Sequence, residues 1–348
     1  MDPLPQYPSH AFIPYLSSTA SSSRSTASTT SSAPPGALPP ISLLNTSTWT
    51  YCGPLLSTTL PPSFHSWSAS TIAGPLLPRL LPFLAFLRDF LPRAGVYNYW
   101  LTIRATKPTP DYDTPRWHTD DNLLDVDVLK DRVGLDQHRR DGSGSGTSNR
   151  KAACWKIVTT VLGPHTLFLR DGPRARKVLR RTKRDVCMHR GEHVCTSLRC
   201  QGCFDTVEAI RQTLAQQLVS DETESPTFGE AAFFRLGDVE GAVHSEPPCH
   251  TDRIFINVVP GSEDELRALM ARWGLRFPRA WCFGVPVMFD EEGLRDLSTA
   301  DASKRKDVPE DTAGETSPST MTMNLKEEYS EWLRLKGFQF AQIFGQSG

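Results

Sequence analysis

Three residues in two separate segments of this chain carry side chains that could form a metal site. His118 and Asp120 stand two positions apart, and His244 lies far downstream. Residues two apart on a β-strand point to the same face, so this imidazole and this carboxylate can converge on one point. A second imidazole from elsewhere would complete a 2-His-1-carboxylate facial triad, which holds Fe(II) on one side and leaves the other side open. The pattern therefore predicts an iron site made of His118, Asp120 and His244.

A cation follows the second histidine at a spacing that would suit a cosubstrate clamp. Arg253 lies nine residues after His244. Its guanidinium has planar, paired donors that match a carboxylate, and it stays charged at physiological pH. The simpler alternative is an ordinary ion pair between Arg253 and either Asp252 or Glu246.

The three metal-ligand candidates also have simpler interpretations. His118 could be a polar residue at a strand edge, and His244 could be a turn residue before Pro247. Other side chains near the two segments could act as ligands in their place, namely Asp121, Glu246 and His250.

The surrounding pattern predicts short strands separated by turns. Aromatic and β-branched residues favour strands over 97–105, 154–162, 166–169, 230–236 and 253–259, with a short one over 241–244. Helices are predicted over 76–91, 206–219 and 325–335, and Ser262 and Glu265 form a capping box before another helix. Strands that do not alternate with helices indicate a mainly β protein, a sandwich or barrel with flanking helices.

With the strands placed, the pattern resembles the Fe(II)/2-oxoglutarate-dependent oxygenases, over about residues 97–260. In that family an H-x-D pair lies near an early core strand, a distal His opens a late strand, and an Arg or Lys about ten residues on binds 2-oxoglutarate. His118, Asp120, His244 and Arg253 match these positions. The resemblance implies a double-stranded β-helix (jelly-roll, cupin-like) core and a protein that hydroxylates or demethylates a substrate. Many relatives have a hydroxyl residue two positions after the arginine, where this chain has Phe255.

The organisation predicted from composition and pattern has five parts. They are a disordered Ser/Thr/Pro-rich segment over 1–45, an aromatic wrap and helix over 46–96, the jelly-roll domain over 97–297 with insertions at 125–150 and 171–227, a polar linker over 298–323, and a C-terminal helix and tail over 324–348.

Bulk composition narrows the classes of partner. The chain has 348 residues, 39% of them hydrophobic, and a formal net charge of -1, so no global field points to nucleic acid or a membrane. No run reaches the roughly 18 apolar residues that a bilayer span requires. The N-terminus lacks the basic region followed by an apolar region that is typical of a secretory signal. The cysteines are therefore expected to be free thiols in a reducing compartment. We therefore expect an intracellular, cytoplasmic protein, with the nucleus and mitochondrion as open alternatives.

A cysteine- and histidine-rich stretch is a second candidate metal site. Cys200 and Cys203 form a C-x2-C knuckle of the kind that binds zinc, and Cys187 and Cys195 would complete four soft ligands. His189 and His193 lie between them. The alternative is a set of unligated thiols.

A basic run precedes that stretch. Residues 174–184 hold seven cations in eleven positions, which is typical of a solvated surface and also of a phosphate-binding one. Two alternatives to an oxygenase follow. One is a jelly-roll binding module that lacks the metal, and the other is a zinc-stabilised nucleic-acid adaptor that uses residues 174–203.

Overall fold

The computed structural model describes residues 9–16, 38–121, 124, 155–190, 201–272 and 274–285. The chain divides into two units, one of residues 1–193 and 205–287 and the other of residues 194–204 and 288–348. Of the second unit, only residues 201–204 are described, and they begin a helix.

The described strands are β1 (His10–Pro14), β2 (Ser42–Leu43), β3 (Ser47–Pro54), β4 (Ile72–Ala73), β5 (Asn98–Thr106), β6 (Trp155–Leu162), β7 (Leu167–Leu169), β8 (Thr223–Glu224), β9 (Glu230–Arg235), β10 (His244–Ser245), β11 (Arg253–Gly261) and β12 (Arg279–Phe283). The helices are α1 (Pro62–Thr71), α2 (Leu77–Phe90), α3 (Gly172–Arg190), α4 (Gln201–Gln217) and α5 (Glu263–Arg272).

Seven strands form one large antiparallel sheet in the order β1-β9-β6-β11-β5-β3-β12. The central strand β11 pairs with β5 on one side and with β6 on the other. Because side chains alternate across a strand, each central strand presents one residue set to each face of this sheet. The protein is therefore mainly β, with a large antiparallel sheet and additional helices.

Helices α1 and α2 cover one face of the large sheet. Their buried side chains, such as Trp67 and Phe83, join Leu101, Ile103 and Ile256 in one hydrophobic cluster. Both helices have a proline in the first two positions, which suits the start of a helix because the N–H groups there have no intrahelical acceptor. Because these helices cover one face of β5 and β11, only the opposite face of these strands can contribute side chains to a site.

The opposite face of the large sheet packs on a small sheet of order β10-β7-β8. Phe168 of β7 contacts Phe234 of β9 within a second hydrophobic cluster, with ring centroids 5.4 Å apart. Helices α3 and α4 cover the outer side of the small sheet through residues such as Leu179 and Leu214. The site residues lie between the two sheets.

Between β5 and β11 the chain crosses repeatedly from one sheet to the other. β5, β6, β9 and β11 belong to the large sheet, whereas β7, β8 and β10 belong to the small one. His118 forms an isolated antiparallel bridge with His244, which extends the small sheet beyond β10. Two residues that are distant in sequence therefore become neighbours.

Most predicted strands and helices are present within a few residues of their expected bounds. The capping box is confirmed, since Ser262 N donates to Glu265 Oε2 at 2.8 Å and Glu265 N donates to Ser262 Oγ at 3.3 Å. The helix that follows, α5, packs against β3 and β5.

Three predicted segments differ from the structure. Disorder over 1–45 is wrong for residues 10–14, which form β1 because Phe12 packs on Phe168 while the backbone pairs with β9. The predicted aromatic wrap and helix over 46–96 contain the expected helix, α2, and core aromatics such as Trp49 and Trp67, but they also contain β3, a strand between β5 and β12. The described parts of the predicted insertion over 171–227 form α3, α4 and then β8, a strand of the small sheet.

The remaining organisational predictions lie outside the described residues. They are the insertion over 125–150, the linker over 298–323 and the C-terminal helix and tail over 324–348.

Candidate metal centre

Backbone pairing brings the two histidine segments together. His118 N donates to His244 O at 3.0 Å, and His244 N donates back to His118 O at 2.9 Å. The ring centroids of the two histidines are 4.3 Å apart. Gly237 N donates to the carbonyl of Asp120 at 2.7 Å, which fixes the next part of the same segment. The predicted triad is thus assembled by main-chain bonds.

The donor atoms of the triad converge. One ligand atom from each of His118, Asp120 and His244 lies within 4.8 Å of the others. His118 Nε2 is 3.5 Å from Asp120 Oδ1, and His244 Nε2 is 3.7 Å from Asp120 Oδ2. Ligand atoms about 2.1 Å from one ion and at right angles would lie about 3 Å apart. Small side-chain rotations would therefore bring the three into the first coordination sphere of one ion.

The hydrogen bonds of the imidazoles define which nitrogen faces the centre. His118 Nδ1 lies 2.6 Å from the carbonyl of Arg116, and His244 Nδ1 lies 3.0 Å from that of Ala242. A carbonyl only accepts, so each Nδ1 carries the proton. Each Nε2 then points toward the carboxylate of Asp120, the orientation that metal-binding histidines adopt when a backbone carbonyl holds the other nitrogen.

The surroundings shift the pKa values of the two histidines in opposite directions. Burial and then the nearby charge of His118 lower the pKa of His244 to about 4, so this imidazole is neutral at neutral pH. Burial opposes charge on His118 too, but its hydrogen bond to Asp120 and the charges of Glu246 and Asp120 outweigh burial and raise its pKa. Neutral His244 Nε2 thus presents a lone pair to a carboxylate oxygen, and a cation between these two acceptors would relieve their repulsion.

A buried lysine, Lys156 of β6, completes the surroundings of Asp120. Lys156 Nζ donates to Asp120 Oδ2 at 2.7 Å, and both side chains are almost fully buried. Burial alone would raise the pKa of Asp120, but Lys156 and the histidines hold it well below its usual range. Asp120 is therefore ionised and available as a ligand.

Arg253 lies at the start of β11, buried beside the site. Its Nε donates to the carbonyl of Pro164 at 2.9 Å, and one terminal nitrogen lies 3.4 Å from the hydroxyl of Thr166. Its guanidinium carbon is 4.6 Å from the ring centroid of Phe255. Thr166 thus places a hydroxyl beside the arginine, although the position two residues after Arg253 is occupied by a phenylalanine.

The ordinary ion pair considered for Arg253 is not formed. Among the described residues, no carboxylate oxygen lies within 4 Å of its guanidinium, and Asp252 accepts from Leu43 N instead. Burial and the charge of Arg104 lower the pKa of Arg253 to about 10, which still leaves it charged. The charge is held by neutral partners, and an anion could still bind it.

The rival ligands lie outside the convergent group. His250 is exposed, with Nε2 3.7 Å from Asp113 Oδ1. Glu246 faces the site without reaching it, and neither it nor Asp121 shares the group formed by the triad.

The predicted zinc ligands fall partly outside the described residues. Cys195, Cys200 and His193 belong to that part of the chain. Cys187 is an exposed free thiol near the end of α3, and Cys203 lies on α4. The zinc site stays a prediction.

Sequence reasoning missed three polar residues of the site, Lys156, Arg104 and Thr166. Each lies on or beside a strand, with Lys156 and Arg104 in otherwise apolar or neutral segments. A cation inside a strand of this kind is a signal that could have been used, because such residues are rarely buried without a specific partner.

Comparison with protein-family models, with curated proteins and with solved structures finds no match for this chain. Within the described residues, no helix has the length and apolar character needed to cross a membrane.

Proposed function

We propose that this chain is a non-haem Fe(II)- and 2-oxoglutarate-dependent oxygenase that hydroxylates or demethylates its substrate. The observation that carries the proposal is the convergence of two imidazole Nε2 atoms and one carboxylate, each imidazole held by a backbone carbonyl. This donor set suits Fe(II) and leaves open coordination positions.

The fold supports the same proposal. The segments that alternate between the two antiparallel sheets have the arrangement expected of a double-stranded β-helix, or jelly-roll. His118 and Asp120 follow an early strand of this core, β5, whereas His244 opens β10 and Arg253 opens β11. These are the relative positions that the resemblance implies.

Each residue has a separate role in the proposed reaction. His118, Asp120 and His244 would hold the iron, and Arg253 with the Thr166 hydroxyl would bind the distal carboxylate of 2-oxoglutarate. Lys156 keeps Asp120 ionised and fixes the orientation of its carboxylate.

The chemistry that bound Fe(II) and 2-oxoglutarate supply is the activation of O2 for oxidation of a C–H bond. In that chemistry one oxygen atom would enter succinate as CO2 is released, and the other would enter the substrate as a hydroxyl. On an N-methyl group, that hydroxyl product releases formaldehyde.

The test is the formation of succinate from 2-oxoglutarate by the full-length protein. Fe(II) and O2 should both be required, and slow turnover is expected without the substrate. Arg253→Gln should need at least about tenfold more 2-oxoglutarate, because a charge-assisted contact is lost. Arg88→Gln, on the exposed side of α2, is the matched control and should behave as the wild type. Failure of iron-loaded protein to consume 2-oxoglutarate would overturn the proposal.

A metal-free binding module is the second candidate function. The close pair between Lys156 and Asp120 favours it, because the ammonium satisfies the carboxylate without a metal. On this alternative, the protein binds small carboxylates equally well with and without Fe(II), and it forms no succinate.

A further inference from the structure

A second buried arginine faces the space between the sheets. Arg104 of β5 is 9% exposed and lies on the opposite face of the strand from Ile103 and Ala105, which pack toward the helices. Its guanidinium carbon is 5.5 Å from the ring centroid of Phe255. The same ring contacts Arg253, so the two guanidiniums share one aromatic neighbour.

One donor of Arg104 is buried and unused within the described part of the chain. Its buried Nε has no hydrogen-bond partner there, and no carboxylate oxygen of those residues lies within 4 Å of the guanidinium. Arg253 differs, because Pro164 and Thr166 accept from it. A buried N–H group without a partner destabilises the folded state, so an anion that accepts from Arg104 would stabilise it.

Further cations lie around the same place. Arg116 stacks on Tyr112, with its guanidinium carbon 5.0 Å from the ring centroid, and its buried terminal nitrogen has no partner among the described residues. The nearby charges of Arg116 and Glu246 both act on Arg211 of α4.

Among the described residues, one acid, Glu246, faces these cations. The buried Oε2 of Glu246 has no hydrogen-bond partner among the described residues, and the charges that act on this carboxyl come from His118, Arg104 and Arg253. A single carboxylate cannot balance both buried arginines. With the cosubstrate carboxylate on Arg253, Glu246 is the one acid of this group left for both Arg104 and Arg116, so an excess of positive charge remains.

We propose that the substrate is an anion and that Arg104 binds its carboxylate or phosphate group beside the cosubstrate's Arg253. This inference rests on the proposed function. It assigns Arg104 to the specificity of the site, and it predicts that a neutral analogue of the substrate binds poorly.

The first experiment separates Arg104 from the cosubstrate. Under anaerobic conditions, Arg104→Gln loaded with Fe(II) should bind 2-oxoglutarate with a dissociation constant within about threefold of the wild-type value. Arg253→Gln should bind it at least about tenfold more weakly. A loss in Arg104→Gln as large as that in Arg253→Gln would assign Arg104 to the cosubstrate and overturn the inference.

The second experiment uses acetate and inorganic phosphate as probes on the metal-free full-length protein. Stabilisation against thermal unfolding is measured at constant ionic strength, because a ligand of the folded state raises the midpoint. In the Arg253→Gln background the remaining stabilisation should come from Arg104. The apparent affinity for the probe should fall at least about tenfold in the double variant that also carries Arg104→Gln. It should be retained when Arg104→Lys is used instead. The probe that stabilises more identifies carboxylate or phosphate as the preferred group.

Two outcomes distinguish failure of this inference from failure of the proposed function. Anion binding that depends on Arg104, in a protein that binds no Fe(II), supports the anion subsite and overturns the oxygenase. Anion binding that is unchanged by Arg104→Gln overturns the subsite, whatever the protein does with iron. Arg88→Gln is the control for a general loss of positive charge.

Discussion

At the scale of single residues, protonation and hydrogen bonding decide what the site can bind. Neutral His244, ionised Asp120 and a backbone-held His118 turn their Nε2 and carboxylate atoms toward one point. The cations Lys156, Arg104 and Arg253 lie around it. A metal ion must therefore bind next to positive charge, and the anions of the site must compensate.

Lys156 gives a prediction at this scale. Lys156→Met should lower the free energy of unfolding of metal-free protein by about 3 kcal/mol, because it leaves the buried Asp120 carboxylate without its cation. Added Mn(II) should then raise the unfolding midpoint of the variant more than that of the wild type, since the ion meets less repulsion.

Thermal unfolding with and without Mn(II) provides the check. Lys177→Met, an exposed position on α3, is the control and should respond as the wild type. A variant that gains nothing from Mn(II) would contradict the role of Asp120 as a ligand.

His165 gives a pH-dependent prediction. Burial and the charge of Arg253 lower its pKa to about 4 from a reference value of 6.5. The unfolded chain therefore takes up the proton first, so this contribution to stability is present above pH 6.5 and is lost as the pH falls toward 4. Linkage gives a loss of about 1 to 2 kcal/mol at pH 5 from this group.

Urea unfolding at pH 8 and pH 5 measures that loss. His165→Asn should show a smaller difference between the two pH values than the wild type. Equal differences in both proteins would mean that His165 is not held neutral by the fold.

At the scale of elements, short turns position the buried cation of β11. Gly163 lies between β6 and β7 with φ at +81°, and a Cβ there would lie 2.4 Å from the Asp252 carbonyl and 3.1 Å from Arg253 Cα. Only glycine satisfies both the left-handed backbone and this close approach. The turn therefore supports the predicted clamp.

Replacement of Gly163 tests whether this turn positions Arg253. Gly163→Ala should cost about 2 kcal/mol or more and should weaken 2-oxoglutarate binding, because β11 must shift at Arg253. Gly95→Ala shares the positive φ, at +76°, but has open space around a Cβ, so it should cost only about 1 kcal/mol. Denaturant unfolding and 2-oxoglutarate titration compare the two. Equal effects on cosubstrate binding would contradict the positioning role of the turn.

The elements also explain what the sequence could and could not predict. Alternating aromatic and β-branched residues predicted β5, β6 and β11, and the H-x-D spacing predicted the convergence of His118 and Asp120. β1 was missed because five residues inside a Ser/Thr-rich segment carry too weak a pattern, and they are ordered by pairing with β9. Lys156 and Arg104 were missed because their importance depends on which face of the strand each occupies, and tertiary packing sets that.

At the scale of the whole molecule, layers of structure separate the polar site from solvent. Helices α1 and α2 cover one side of the large sheet, and α3 and α4 cover the small sheet. The charged residues between the sheets contrast with a chain whose formal net charge is only -1. The positive field is thus local, and it favours small anions over a polyanionic surface partner.

The account depends most on the ability of the triad to hold Fe(II) together with 2-oxoglutarate. Anaerobic titration of the purified full-length protein with both, followed through the weak visible charge-transfer band of the chelated cosubstrate, tests this directly. The account predicts that the band appears in the wild type and in Arg88→Gln and is lost in His244→Ala. No band in wild-type protein, or an equal band in His244→Ala, would contradict it.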